Sequence, residues 1–241
     1  MKSRIFHLGL NPPDVLIDNF YIIHCPIISI NYKTNLLPHD VNKFFNKYSD
    51  ILVLSQNGVK GLKSWLISNK LKLDYFSNFR FWTIGKQTHE LLNKELGFKS
   101  IYPSNMTGEG VVDMLKEYNI SKILLIAGQE VRPGLCTYLS KNMIAYFHFS
   151  VYINKYIKNK SFEMHYKNIS CEYLVFTSPS TVNSFLHINK IDDLSAINSK
   201  IVSIGPTTSK TIIDNAGLIF FESNYQNINK LYSNLNERLK Q

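Results

Sequence analysis

The 241-residue sequence predicts an α/β protein made of two related halves, each a parallel sheet covered by helices. Three observations carry that expectation. Short apolar runs alternate with stretches of helical periodicity, the same blocks occur twice in the same order, and polar turns stand between each run and the helix after it.

The duplication is the most informative of the three. LVLSQNGVKGL, from Leu52, matches LVFTSPSTVNSF, from Leu174, and sets Ser55 opposite Ser178, 123 residues apart. WTIGKQTHELLNKELGF, from Trp82, matches VSIGPTTSKTIIDNAGL, from Val202, with Gly85 opposite Gly205 and Thr88 opposite Thr208, both 120 apart. YPSNMTGEGVVDML then matches FESNYQNINKLYSNL, with Ser104-Asn105 opposite Ser223-Asn224 at 119. Three blocks in one order at nearly constant separation imply a repeated unit.

In chain order, Ser3 to Leu8 and Tyr21 to Ile30 read as strands that precede the first repeat. They find no partner inside it and could complete the sheet of the second. ILVL (Ile51 to Leu54), KILLIA (Lys122 to Ala127) and YLVF (Tyr173 to Phe176) are continuous apolar runs, as expected of parallel strands buried on both faces. Helices are expected over His89 to Leu96, Gly110 to Tyr118, Thr208 to Asn215 and Asn227 to Leu239. Gly97 and Gly217 fall where helices end in a left-handed residue. The expected organisation is an outer discontinuous domain (1–30 plus 157–241) and an inserted domain (34–150). Crossings at 29–33 (SINYK) and 151–156 (VYINKY) join them. Two crossings favour a hinge and a cleft between lobes.

Composition narrows the function classes. The hydrophobic fraction of 44% and charged fraction of 19% are ordinary for a soluble domain, and no apolar run nears the roughly 20 residues that span a bilayer. The opening MKSRIFHLGLNPPDV lacks a signal-peptide core, which reads as cytoplasmic. Cys25, Cys136 and Cys171 and the seven histidines show no metal-ligand spacing, so neither a disulfide framework nor a metal site is expected. The net charge of +9 suits an acidic partner, but the lysines are spread and no basic tract appears, which speaks against nucleic acid. There is no GxGxxG, no GxxxxGK[ST] and no GxSxG.

The chemistry must then lie in the turns. In an open α/β sheet, ligands bind at the carboxyl ends of the strands, where helix N-termini point. SQNG and TSPST place hydroxyls and amides for capping, and IGKQT and IGPTT add glycines that admit close backbone approach. Free N–H groups at a helix start bind carboxylate or phosphate, so four such turns suit a ligand with several separated anions. Taken singly, each turn reads first as a helix cap, and its repetition in both halves brings a ligand role level with that reading. Tyr152, in the second crossing, is a phenol able to donate a proton, and Arg132, in AGQEVRPG, could bind a carboxylate.

TGEG (Thr107 to Gly110), VY (Val151-Tyr152), FTSPSTV (Phe176 to Val182) and IGPTT (Ile204 to Thr208), in this order, resemble the uroporphyrinogen-III synthase family over nearly the whole chain. The resemblance implies two flavodoxin-like lobes joined by a two-stranded linker. It also implies a cofactor-free, monomeric hydro-lyase that closes hydroxymethylbilane, a linear tetrapyrrole with eight carboxylates, while inverting its ring D. Transient contact with hydroxymethylbilane synthase is compatible with it, and no nucleic-acid or membrane partner is implied. The family's cleft tyrosine maps onto Tyr152. Its substrate-binding turns map onto Ser55, Gly85, Lys86, Thr88, Gly128, Ser178, Ser180, Thr207 and Thr208. The chain departs from the pattern in having FHLGLNPP where members end the first strand in Thr-Arg-Pro, and Lys86 where Pro or Asn is usual. A two-lobed polyanion-binding protein and an inactive paralogue are the alternatives.

Overall fold

The computed structural model describes residues 3–15, 17, 20–35, 41–131, 133–159, 162, 171–224 and 227–239. The chain starts with strands β1 (Ser3–His7), β2 (Phe20–His24) and β3 (Ile28–Tyr32), then helix α1 (Val41–Phe45). Next come β4 (Asp50–Val53), α2 (Gln56–Ser68), β5 (Arg80–Thr83), α3 (Lys86–Leu96), β6 (Ser100–Ile101) and α4 (Gly108–Glu117). After β7 (Lys122–Gly128), α5 (Pro133–Lys141) and β8 (Ala145–Tyr156), the order is β9 (Tyr173–Phe176), α6 (Pro179–Asn189), β10 (Lys200–Ser203), α7 (Pro206–Asp214), β11 (Ile219–Glu222) and α8 (Ile228–Arg238).

Two compact units result, Met1–Ser29 with Lys155–Gln241 and Ile30–Asn154, and the chain passes between them within β3 and β8. The inserted unit carries a six-stranded sheet of order β3-β8-β7-β4-β5-β6, and the outer unit a five-stranded one of order β11-β10-β9-β1-β2. β4 pairs in parallel with β5 and β7, as β9 does with β10 and β1. β7 and β8 therefore occupy beside β4 the places that β1 and β2 occupy beside β9. Both sheets are parallel-dominated α/β sheets, and the repeat visible in sequence is three strands long in each.

Strand geometry explains why the apolar runs are continuous. Successive side chains point to opposite faces, so a central parallel strand must be apolar on both. Ile51 and Val53 lie in a cluster with Trp65 and Phe149, whereas Leu52 joins Trp82, Val111 and Leu125 on the other face. In the outer unit Leu174 and Phe176 pack with Phe6 and Phe185, and Tyr173 and Val175 with Ile5 and Tyr232.

The expected long second strand is two. Cys25, Pro26 and Ile27 interrupt it between β2 and β3, because proline has no N–H for a ladder. Gly97 does close α3 in the left-handed region (φ 74°), its N–H on the Asn93 carbonyl. Gly217 does not play that part for α7; Ala216 takes the positive φ (56°), and a Cβ on Gly217 would lie 2.6 Å from Ile212 Cγ2.

At the amino end of β4, a buried polar knot replaces apolar packing. Asp50 accepts hydrogen bonds from Arg80 (2.6 Å), Trp82 Nε1 (2.8 Å) and Ser49 (2.7 Å). Burial pushes its carboxyl up, but the hydrogen bonds from Arg80, Ser49 and Trp82 outweigh that, and the net shift is downward. Asp50→Ala strands the buried indole N–H and is expected to lower unfolding free energy by about 2 kcal/mol. Urea titration checks this; a variant as stable as the wild type would remove the knot from the account of the fold.

Candidate functional site

Each sheet has a topological switch point, where successive connections leave in opposite directions and ligands bind at the strands' carboxyl ends. In the inserted unit it lies between β4 and β7, and in the outer unit between β9 and β1.

At the inserted unit's switch point the structure brings three of the expected residues together. Ser55 caps α2, its Oγ accepting from Gly58 N–H at 3.0 Å, and lies 3.2 Å from the Tyr152 hydroxyl. Tyr152 is carried on β8, whose register against β7 slips by one residue: Ala127 faces Ser150, but Gly128 faces Tyr152. That bulge lays the phenol ring against Gly128, where a Cβ would lie 2.8 Å from Tyr152 Cζ. Any side chain at 128 would displace the ring. The ring also packs against the large apolar cluster of the inserted unit, and the side chain is half-buried with one polar end. Tyr32 lies close by, its phenol pushed up by burial and further by Tyr152.

The second turn of this unit is built behind Gly85. The Gly85 carbonyl accepts from the N–H groups of Thr88 and His89, and more distantly (3.5 Å) from Thr83 Oγ1. Met106 covers the glycine so closely that a Cβ would meet its Sδ at 2.9 Å. Thr88 is 5% exposed, so its hydroxyl is withdrawn from solvent. Lys86 is exposed and sits 3.7 Å from Glu90, one helical turn on. Gln56 donates to Gln87 (3.0 Å), tying the first turns of α2 and α3 together.

The outer unit repeats both turns with small changes. Ser178 caps α6 in a reciprocal box: its Oγ accepts from Thr181 N–H, and Thr181 Oγ1 accepts from Ser178 N–H, each at 3.2 Å. Ser203 Oγ donates to the Gly205 carbonyl at 3.0 Å, as Thr83 does to Gly85. Thr208 is 3% exposed, while Ser180 and Thr207 are partly exposed in their first turns. Ser178→Ala is expected to cost about 1 kcal/mol of stability, the ordinary worth of such a cap. Calorimetry measures it; no shift in Tm would mean that the box is held by Thr181 alone.

Sequence reading passed over the strand-terminal Thr83 and Ser203, although WTIG and VSIG both display a hydroxyl two residues before the glycine. Thr107, which opens the TGEG motif, caps α4 by accepting from Gly110 N–H at 3.1 Å. A Cβ on Gly110 would collide with the Asn105 carbonyl oxygen, which accounts for the glycine in TGEG. Arg132 lies outside the described residues. Among the described residues no group of His, Cys, Asp and Glu could hold a metal ion, and no helix is long and apolar enough to cross a membrane.

The model of the family described as uroporphyrinogen-III synthase HemD matches residues 19–218. The chain belongs to the uroporphyrinogen-III synthase family. A curated relative, the porphyrin biosynthesis protein HemD of Ruminiclostridium josui, is 27% identical over 171 residues. The match takes in 68% of this chain but spans only 33% of that relative's length. Among solved structures, a mutant uroporphyrinogen III synthase from the extreme thermophile Thermus thermophilus superposes with a TM-score of 0.68 at 13% identity, over 99% of both chains. The uroporphyrinogen-III synthetase of Helicobacter pylori gives 0.68 at 18% identity, over 99% of this chain and 100% of its own. At these identities the likeness is one of fold, and it extends over the whole family architecture of two α/β units.

Proposed function

We propose that this member of the family is an active uroporphyrinogen-III synthase, a hydro-lyase that closes hydroxymethylbilane to uroporphyrinogen III with inversion of ring D. The observation that carries the reading is the Tyr152 phenol, seated on Gly128 and hydrogen-bonded to Ser55 at the switch point of a sheet in a chain of this family.

The chemistry asks for little more than one proton and much positioning. Tyr152 gives its proton to the departing hydroxyl of the substrate, which leaves as water as the pyrrole nitrogen pushes electrons outward. The resulting azafulvene is attacked by the substituted carbon of ring D to form a spiro-pyrrolenine. This fragments and recloses with ring D inverted, and the proton lost on rearomatisation restores the phenol. Ser55, whose Oγ already accepts from Gly58 N–H, holds the phenol in line. Backbone amides at the capping turns, with Ser178, Ser180, Thr207, Lys86 and the close glycine Gly85, supply donors for the eight carboxylates. Thr88 and Thr208, withdrawn from solvent, support these turns from behind. The reaction proceeds in a cytoplasmic monomer that uses no cofactor.

The test supplies hydroxymethylbilane in a coupled assay and separates the type I and III isomers after oxidation. Predominant isomer III is expected. Isomer I alone, the product of spontaneous closure, would leave the chain an inactive paralogue or a polyanion-binding protein.

A further inference from the structure

The two switch points share a device that no motif announces. In the outer unit the chain leaves β1 at Gly9, and the Gly9 carbonyl lies 2.9 Å from Nε2 of His24, on the neighbouring strand β2. In the inserted unit it leaves β7 at Gly128, whose carbonyl lies 2.7 Å from Nε2 of His148, on the neighbouring strand β8. Since β1 and β2 stand beside β9 as β7 and β8 stand beside β4, the two pairs are equivalent in the sheets. A carbonyl oxygen only accepts, so each imidazole carries its proton on Nε2 and donates.

The consequence lies on the other side of each peptide. Both peptides are trans, so the N–H of the following residue points opposite to the captured carbonyl. Those amides belong to Leu10 and Gln129, and neither donates to another described residue. Gly9 and Gly128 are buried, Leu10 is partly exposed and Gln129 is exposed, so the carbonyl faces the protein while the next residue faces solvent. Crowding fixes each glycine in place. A Cβ on Gly9 would lie 2.6 Å from Thr177 Oγ1, next to the Ser178 cap, and one on Gly128 would lie 2.8 Å from Tyr152, the partner of the Ser55 cap. A hydrogen bond on the carbonyl also polarises the peptide and strengthens its N–H as a donor.

We propose that His24 and His148 are positioning residues that each hold one backbone amide, of Leu10 and Gln129, for a carboxylate of the substrate; this rests on the synthase reading above. Each histidine acts through the peptide it grips and does not touch the substrate. Releasing the carbonyl frees the peptide to rotate, and a charge-assisted hydrogen bond is lost from the bound state.

The full chain tests this. His24→Ala and His148→Ala are each expected to raise KM for hydroxymethylbilane about 10-fold, with kcat changed less than about twofold. His24→Gln and His148→Gln, which retain an N–H donor, are expected to restore KM to within about threefold of wild type. Folded Ala variants with wild-type KM, or Gln variants as impaired as Ala, would overturn the proposal. A second measurement needs no variant: in the 15N spectrum of the wild type, uroporphyrinogen III should move the Leu10 and Gln129 amides downfield. Amides that stay in place at saturation overturn the proposal even where an Ala variant fails to fold. A wild type that forms no isomer III removes the synthase reading itself. A wild type that forms it, with unaffected histidine variants, removes only this inference.

Discussion

Tyr152→Phe is expected to lower kcat for isomer III formation about 100-fold, the lower end of what a positioned general acid contributes. The variant loses only the hydroxyl. Its ring still rests on Gly128 and against the inserted unit's apolar cluster, so the unit keeps its packing. The hydrogen bond given up, to Ser55 at 3.2 Å, is long and half-buried and is worth about 1 kcal/mol of stability at most. A drop in turnover with a nearly constant Tm therefore reports on proton donation. The readout is the rate of isomer III formation by stopped assay, with the uncatalysed isomer I as internal reference. A phenylalanine variant with wild-type kcat would take the phenol out of the reaction and leave a pure template.

Acidification from pH 6.5 to about 4 is expected to cost the fold about 3 kcal/mol through His7 alone. His7 ends β1 with no exposed surface, its Nδ1 accepting from the Tyr232 hydroxyl (2.9 Å) and its Nε2 donating to the Asn11 carbonyl (3.0 Å). Burial lowers its pKa to about 4, the Asn11 carbonyl opposes that, and the nearby His24 lowers it further. The sign follows from proton counting. Between the two pKa values the unfolded chain binds a proton on residue 7 and the native state does not, so stability rises with pH there. The contribution is complete above about pH 6.5 and is lost as pH falls towards 4. His7→Leu removes the titrating group, and its unfolding free energy should fall less steeply than that of the wild type across this window. Parallel curves for the two proteins would show that His7 does not titrate this way. Burial also pushes the Tyr232 phenol well above its ordinary range, so the pair stays neutral at physiological pH.

The contrast between His7 and the pair His24 and His148 marks how far a sequence can be read. The histidines are dispersed without ligand spacing, and the spacing of Gly9 to His24 (15 residues) and of Gly128 to His148 (20 residues) carries no local signal. Parallel neighbours are joined by crossovers of variable length, so residues that meet at a sheet edge need share no interval. The capping turns were legible for the opposite reason. A Ser that caps a helix bonds an amide three residues on, and that constraint is written in consecutive letters, as in SQNG and TSPST. Thr88 and Thr208 show the limit of that legibility: their place in the repeat is plain, but whether a hydroxyl in the first turn faces solvent or core depends on what packs over the helix.

By itself, the sequence determined that the chain is parallel α/β and that blocks from Leu52 and from Leu174 repeat, and it singled out the Ser, Thr and Gly turns and the Tyr152 phenol as candidates for its chemistry. All of these follow from local rules, the two-faced burial of central strands and the need to satisfy amides at helix starts. Only the tertiary structure decided that β1 pairs with β9, more than 160 residues away in the chain. The same holds for the slip in register that sets Tyr152 on Gly128, and for the carbonyls of Gly9 and Gly128, which end on histidines of the next strand. Those facts are non-local because strand pairing is settled by which buried faces meet, and a backbone ladder accepts nearly any side chain along its edge.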